Sequence, residues 1–150
     1  MTVATVESFT ERLDELKPIL PIHHMELAID PEEIELDPQY DVYMEREKRG
    51  ELVFVTVRKA GALIGYFIGF RVWGLHNKGH KFLLQDIFYI TPEHRLTGAG
   101  DVLFDAVERE YRRLGGGEWI VACKVHLDCG DFFRRRGFRE VERSYRKRVV

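Results

Sequence analysis

Long apolar runs are missing from this 150-residue chain, and so are the residues that would mark an extracellular or fibrous protein. No stretch approaches the ~20 consecutive apolar residues that span a bilayer. The N-terminus lacks a basic segment followed by an apolar one, so no secretory signal is visible and a cytoplasmic location is expected. Cysteine is scarce. Cys123 and Cys129 are the only two, too few for a disulfide framework and in keeping with a reducing compartment. Net charge is nearly absent as well: the formal value of −2 removes any bulk electrostatic reason to expect nucleic acid. What is present is ordinary for a folded domain, 45% hydrophobic and 32% charged residues, which argues against disorder. A chain of this length fits one domain, residues 1–150, and buries ~70% of its unfolded surface.

The small net charge conceals an asymmetry. Residues 1–50 hold 13 acids and 5 bases, a net of −8, while residues 131–150 hold 3 acids and 8 bases, a net of +5. A basic tail can bind nucleic acid, flank a phosphorylated cofactor, or be a solvated strand face, and the last is the plainest reading.

Periodicity sets the element order. Val6, Phe9, Leu13, Leu16 and Leu20 recur at helical spacing behind the capping-box pattern Ser8-x-x-Glu11, and Pro18 should end or kink that helix. A short second helix holds His23 to Leu27, both histidines being read as surface residues. Asp37-Pro38 reads as an N-cap and first helical position, with Tyr40, Tyr43 and Met44 on one face and a stop near Gly50. The period then changes. Leu52–Val57 and Ala62–Trp73 are β-rich runs about an Ala60-Gly61 turn, and Gly74–Lys81 is a polar loop into a strand at Phe82–Ile90. A helix carries Leu103, Val107, Tyr111 and Leu114, supported by Asp105/Arg109 and Glu108/Arg112 at i,i+4, and ends at Gly115-Gly116-Gly117. A strand at Trp119–Val125 follows, in parallel pairing with Phe82–Ile90 because a helix crosses between them. Asp128–Arg136 is a short helix, and the alternation through Val141, Arg143, Tyr145, Lys147 and Val149 reads as a final exposed strand. The fold class is mixed α/β: a mostly antiparallel central sheet, one parallel splayed strand pair, and helices on both faces.

One stretch concentrates the chemistry. In Ile87 to Gly100 an apolar strand stops at Pro92, a loop passes through Arg95, and Gly98 and Gly100 open a helix. Unpaired N–H groups and the positive end of a helix dipole make such a terminus an anion site, and glycines let the backbone approach the anion. Two glycines are otherwise a poor way to begin a helix. Asp86 is the second unusual residue, a carboxylate inside a strand expected to be covered on both faces. It must be paired with a cation, cap backbone groups or face a cleft. In a cleft, partial burial would raise its pKa and suit it to accept a proton. His76 and His80 do not make a metal site by spacing, since Gly79 breaks any helix that would align them and no third ligand stands nearby.

These residues resemble the GCN5-related N-acetyltransferases. The resemblance rests on Phe88-Tyr89-Ile90 and Pro92 leading into Arg95-x-x-Gly98-x-Gly100. A later signature supports it, Phe132-Phe133-Arg134-Arg135-Arg136-Gly137-Phe138. It implies direct attack of a primary amine on acetyl-CoA in a ternary complex, with no metal. The amine would belong to a small molecule or a peptide, and the protein would be a monomer or homodimer with no membrane partner. A non-catalytic acyl-CoA-binding or partner-binding module of the same fold is the alternative. The resemblance places the pyrophosphate on the backbone of Arg95, Leu96, Thr97, Gly98, Ala99 and Gly100. It places pantetheine along Phe88, Tyr89 and Ile90, with a bulge near Phe88 admitting it, and it gives His126 a cofactor contact. Asp86 becomes the candidate base. The family's usual acid, a tyrosine at the second aromatic of the late signature, is replaced by Phe133, which leaves Tyr145 and Cys129 as stand-ins.

Overall fold

The computed structural model describes all 150 residues. Its elements are β1 (Thr2–Val6), α1 (Phe9–Leu16), α2 (Leu20–Leu27), α3 (Tyr40–Lys48), β2 (Leu52–Lys59), β3 (Ala62–Trp73), β4 (Lys81–Ile90), α4 (Ala99–Arg113), β5 (Glu118–Ile120) and α5 (Gly130–Arg135). The five strands lie in the order β1-β2-β3-β4-β5, antiparallel except for the β4–β5 pair. The expected fold class is therefore observed, with helices on both faces.

Alternation along the strands divides the core. Val53, Val55 and Val57 of β2 point to one face, where Leu103, Phe104, Val107 and Tyr111 of α4 pack with Phe133. Phe54 points to the other face, where Phe9, Leu13 and Leu16 of α1 join Tyr66, Ile68 and Tyr89. Phe104 and Leu16 are fully buried; removing a side chain of this kind costs roughly 3–5 kcal/mol for phenylalanine and 2–5 for leucine. Helix α1 begins as the capping pattern requires, the Ser8 side chain accepting the Glu11 N–H at 3.2 Å. The reciprocal carboxylate, however, comes from α3. Glu47 accepts the N–H groups of Phe9 at 2.6 Å and Thr10 at 3.1 Å, so two helices share one cap. No helix is long and apolar enough to cross a membrane.

Five expectations need correction. Thr2–Val6 is a strand along β2, so Val6 belongs to the sheet and not to the α1 stripe. Helix α3 starts at Tyr40 with Gln39 as its cap, later than Asp37-Pro38 suggests. The strand expected at Trp119–Val125 pairs only over Glu118–Ile120. Residues 138–150 form no strand. Their alternation is real, but no sheet edge is paired with it; Arg146 and Arg148 instead reach Asp30 and Glu33 in the loop after α2. Asp105 is likewise held by Arg136 of the late signature rather than by Arg109. Arg136, 16% exposed, thereby pins the end of α5 to the first turns of α4.

Candidate active site

The site is built where β4 and β5 part. Their parallel pairing runs from Phe82↔Glu118 to Leu84↔Ile120 and stops. One residue later the Gln85 carboxamide bridges the gap, donating to the Ala122 carbonyl and accepting from the Ala122 N–H, both at 3.0 Å. A side chain thus stands in for the next rung of the ladder and holds the strands apart. On its other edge β4 stays paired with β3 through Ile90↔Gly65, apart from a shift between Gln85↔Gly69 and Ile87↔Ile68 that leaves Asp86 without a partner. The bulge expected near Phe88 falls on Asp86 itself. A bulge re-aims a side chain, and here it brings Asp86 and Ile87 to the face covered by α1 and α3.

Asp86 accepts a hydrogen bond from the Tyr43 hydroxyl of α3 at 2.6 Å. Part of the carboxylate reaches solvent, but the protein atoms crowding the rest of it raise its pKa, against the Tyr43 hydrogen bond and the Arg46 charge, which lower it. No arginine or lysine pairs with it. The alternative of a structural aspartate neutralised by a cation is not what the geometry shows. Tyr43 is held in its protonated form by burial first and by its hydrogen bond to Asp86 second.

Downstream of the bulge the free edge of β4 faces the gap. The Thr91 N–H donates to Ile64 of β3 at 2.8 Å, and N–H groups alternate between the two edges of a strand. Tyr89 therefore uses its backbone on β3, as its carbonyl beside Gly65 also indicates, while Phe88 and Ile90 point theirs into the splay. Of the Phe88-Tyr89-Ile90 triplet, the Phe88 backbone and the Ile90 N–H can pair with an extended ligand, while the Ile90 carbonyl accepts from Arg95. The middle one contributes a buried ring.

The turn follows. Pro92–His94 forms a single 3₁₀ turn, Leu96 takes a left-handed φ of 63°, and Gly98 takes φ 88° and ψ −1° immediately before α4. Left-handed geometry costs a non-glycine residue roughly 1–2 kcal/mol, and the Leu96 side chain is wholly in solvent, so no packing offsets the strain. What the strain achieves is visible in the hydrogen bonding. Val102 is the first residue of the helix to donate back, to Gly98 at 3.1 Å, and the six preceding N–H groups, Leu96 to Asp101, donate to no backbone carbonyl. Consecutive free N–H groups ahead of a helix form an anion cradle. Gly98 is open above its Cα, whereas a Cβ on Gly100 would lie 3.3 Å from the Phe132 ring. The space above Gly98 is open, and Gly100 makes room for α5.

Two sequence-predicted residues have protein partners instead of an open position. The Arg95 guanidinium donates from Nε to the Ile90 carbonyl at 2.9 Å and from Nη2 to both carboxylate oxygens of Glu26, and lies over the Tyr89 ring at 5.3 Å. His126 Nε2 meets the Glu26 carbonyl at 2.9 Å. Tyr89 donates its hydroxyl to the same Glu26 at 3.3 Å. One residue of α2 is thus tied to the β4 side of the splay through Tyr89 and Arg95, and to the β5 side through His126. Beside it His23, expected on the surface, is 5% exposed. Its Nδ1 meets the Tyr66 hydroxyl at 2.7 Å, its ring stacks on Tyr89 at 3.6 Å, and burial pushes its pKa down to about 4. Glu26 and His23 carry no motif, and their partners lie 43 to 100 residues away.

The acid position stays empty. Phe133 is 8% exposed and packs in the α4 core. Tyr145 is 89% exposed, on a segment that joins no element, and the structure does not bring it to Asp86. Cys129 is half-buried, its thiol pushed up to about 11 by burial.

Residues 30–150 match the acetyltransferase (GNAT) domain family, while no curated protein matches the sequence. The fold is shared with solved structures of low sequence identity. A GCN5-related N-acetyltransferase from Ralstonia eutropha JMP134 superposes with a TM-score of 0.79 at 16% identity, over 98% of each chain. A ribosomal-protein-alanine N-acetyltransferase from Brucella melitensis biovar Abortus 2308 gives 0.71 at 15% identity, over 99% of each. AAC(6')-Iy, in complex with the bisubstrate analogue CoA-S-monomethyl-acetylneamine, gives 0.71 at 17% identity, again over 99% of each. The match spans four-fifths of the chain and includes the strand, bulge and turn just described: the chain belongs to the GNAT acetyltransferase family.

Proposed function

We propose that the protein transfers the acetyl group of acetyl-CoA to a primary amine by direct attack in a ternary complex. The observation that carries this reading is the splay between β4 and β5. A cradle of free N–H groups lies at one end of its β4 edge, and a bulged carboxylate of raised pKa lies at the other. In this reading Leu96 to Gly100 hold the pyrophosphate through backbone N–H groups, and the Phe88 backbone and the Ile90 N–H pair with pantetheine as an added strand would. The Phe88 N–H faces the splay and polarises the thioester oxygen as charge develops on it.

Asp86 takes a proton from the acceptor ammonium, directly or through one water. The freed nitrogen lone pair forms the C–N bond, the C–S bond breaks, the thiolate leaves with the electron pair, and the nitrogen gives up its second proton to water or to the departing thiolate. No residue is assigned as its acid, because a thiolate departs without one. The absence of an acid residue, with Phe133 in the core and Tyr145 in solvent, favours one second reading, an acyl-CoA-binding module without turnover. Release of free CoA that depends on an added amine separates the two. Asp86→Asn should slow that release about 100-fold, within the range of general-base contributions, and leave acetyl-CoA affinity unchanged. Binding without release across a broad amine panel would favour the module.

A further inference from the structure

We propose that the acceptor carries an anionic group, a carboxylate or a phosphate, close to its amine, and that Arg46 binds it. This rests on the acetyl-transfer reading and names the acceptor class of the same site. Gln39, Val42, Tyr43 and Arg46 recur at i, i+3, i+4 and i+7, so they share one face of α3. That face overhangs Phe70 of β3 and lines an open surface cleft of about 460 Å³, within the size range of small-molecule sites. Tyr43 lines this cleft and donates its hydroxyl to the exposed Asp86 beside it.

Arg46 is the one cation that lines that cleft, and no carboxylate pairs with it. It lies in the most acidic third of the chain, among 13 acids and 5 bases in residues 1–50. Its neighbours show what that setting ordinarily produces. Arg12 pairs with Glu7 at 3.3 Å and Arg49 with Glu51 at 3.7 Å. Arg46 is half-buried and has neither a salt bridge nor a hydrogen bond. Its guanidinium carbon lies over the Phe70 ring, 4.5 Å from the centroid. A guanidinium set over an aromatic face and free of hydrogen bonds keeps its N–H groups available, and such a fork can grip a carboxylate or phosphate with two parallel hydrogen bonds. The guanidinium is near enough to Asp86 and Tyr43 to act on the charge of each.

Spacing then limits the ligand. Residues three apart on a helix have Cβ atoms about 5–6 Å apart, and the Arg46 charge acts on both Asp86 and Tyr43, so the anion and amine positions are neighbours. An acceptor whose ammonium meets Asp86 while its anion meets Arg46 must carry the two groups on a short linker. Asp37, exposed at the rim of the same cleft, disfavours a second anion at the entrance. A polyamine offers nothing to Arg46 and would place a second cation against it.

Matched pairs of amines test this: β-alanine against β-alanine amide, and phosphoethanolamine against ethanolamine, with putrescine as the cationic case. Each is assayed for CoA thiol release and for thermal stabilisation of the CoA-saturated protein. The acid-bearing member of at least one pair should have a KM tenfold or more below its neutral partner. Arg46→Gln should raise that KM by about 10- to 100-fold and erase the difference within the pair, and Arg46→Lys should restore part of it. Whichever pair responds identifies carboxylate or phosphate. Equal KM values within both pairs, a preference for putrescine, or a difference that survives Arg46→Gln would overturn the proposal. If no amine is turned over, stabilisation by the acid-bearing members that is lost in Arg46→Gln keeps the anion site and removes acetyl transfer. Lack of stabilisation by any member removes both.

Discussion

Replacing Gly98 by alanine separates what the turn needs for folding from what it needs for its ligand. The residue sits at φ 88°, and a Cβ built there meets no protein atom within 4 Å. Steric fit to the protein is therefore no obstacle, and the folding cost is the left-handed backbone alone, roughly 1–2 kcal/mol. For a domain of this size that lowers the melting temperature by about 2–8 °C. The ligand is affected differently, because the methyl group would stand in the open space above six unpaired N–H groups. Each contact at a helix N-terminus contributes about 0.3–1 kcal/mol. Displacing three of them removes about 1–3 kcal/mol, or roughly 5- to 150-fold in acetyl-CoA affinity. Gly61 supplies the control. It turns the β2–β3 hairpin at φ 81°, also with nothing within 4 Å of a built Cβ, so Gly61→Ala carries the same backbone strain away from the turn. Calorimetric unfolding and acetyl-CoA titration of both variants should show similar losses of stability but weakened binding only in Gly98→Ala. Equal acetyl-CoA affinity in the two would refute the assignment of the turn to the pyrophosphate.

Three further outcomes follow from the same geometry. Tyr43→Phe removes the hydrogen bond that lowers the Asp86 pKa, so the acidic limb of the kcat/KM profile should move to higher pH; a limb that stays in place would remove Asp86 from that titration. His23 is held neutral in the fold, its pKa down at about 4 from 6.5, chiefly by burial and further by Arg95, with Glu26 opposing. Because the unfolded chain takes up this proton first, stability should fall as pH drops from about 6.5 to about 4, by up to about 3 kcal/mol. Denaturant titrations across that window should show His23→Gln with the flatter slope, and parallel slopes would place the proton elsewhere. Glu26→Gln weakens the two-oxygen grip on Arg95. Both side chains are about 30% exposed, so the loss is on the order of 1 kcal/mol after screening, measured as a melting-temperature decrease of about 2–4 °C; an unchanged melting temperature would mean the contact contributes nothing net.

The fold was legible in the sequence wherever local pattern and tertiary environment agree. The β2–β3 hairpin, β4, the α4 stripe and the stop at Gly115 follow from period and glycine chemistry alone. The misreadings occur where local pattern is ambiguous. Val6 falls in helical register with Phe9 and Leu13, yet five residues are enough for a strand once β2 offers an edge. The Arg-rich alternation of residues 138–150 looks like a strand, but its charged members meet acids in the α2–α3 loop. The turn could be read because its glycines are needed by the backbone, and Asp86 because a carboxylate is costly in a strand. Glu26, His23 and Arg46 could not be read. Each acquires its setting from residues brought together by the sheet, Tyr66 and Tyr89 for His23, Arg95 for Glu26, Phe70 for Arg46, and no spacing rule connects those positions. Gln85 lies between these cases: a polar residue beside Asp86 marks an irregular edge, but its bridge to Ala122 needs β5 in place.

The central claim is that acetyl-CoA is held along the free edge of β4 and in the cradle that follows it. The most direct measurement is an amide-resolved NMR titration of the wild-type protein with acetyl-CoA. The largest and earliest shifts should fall on the N–H groups of Leu96 to Gly100, with Phe88 and Ile90 moving at the same ligand concentration and Tyr89, bonded to β3, moving less. Saturable shifts centred on the basic residues 139–148, or no shifts at Leu96 to Gly100 at saturating acetyl-CoA, would contradict it.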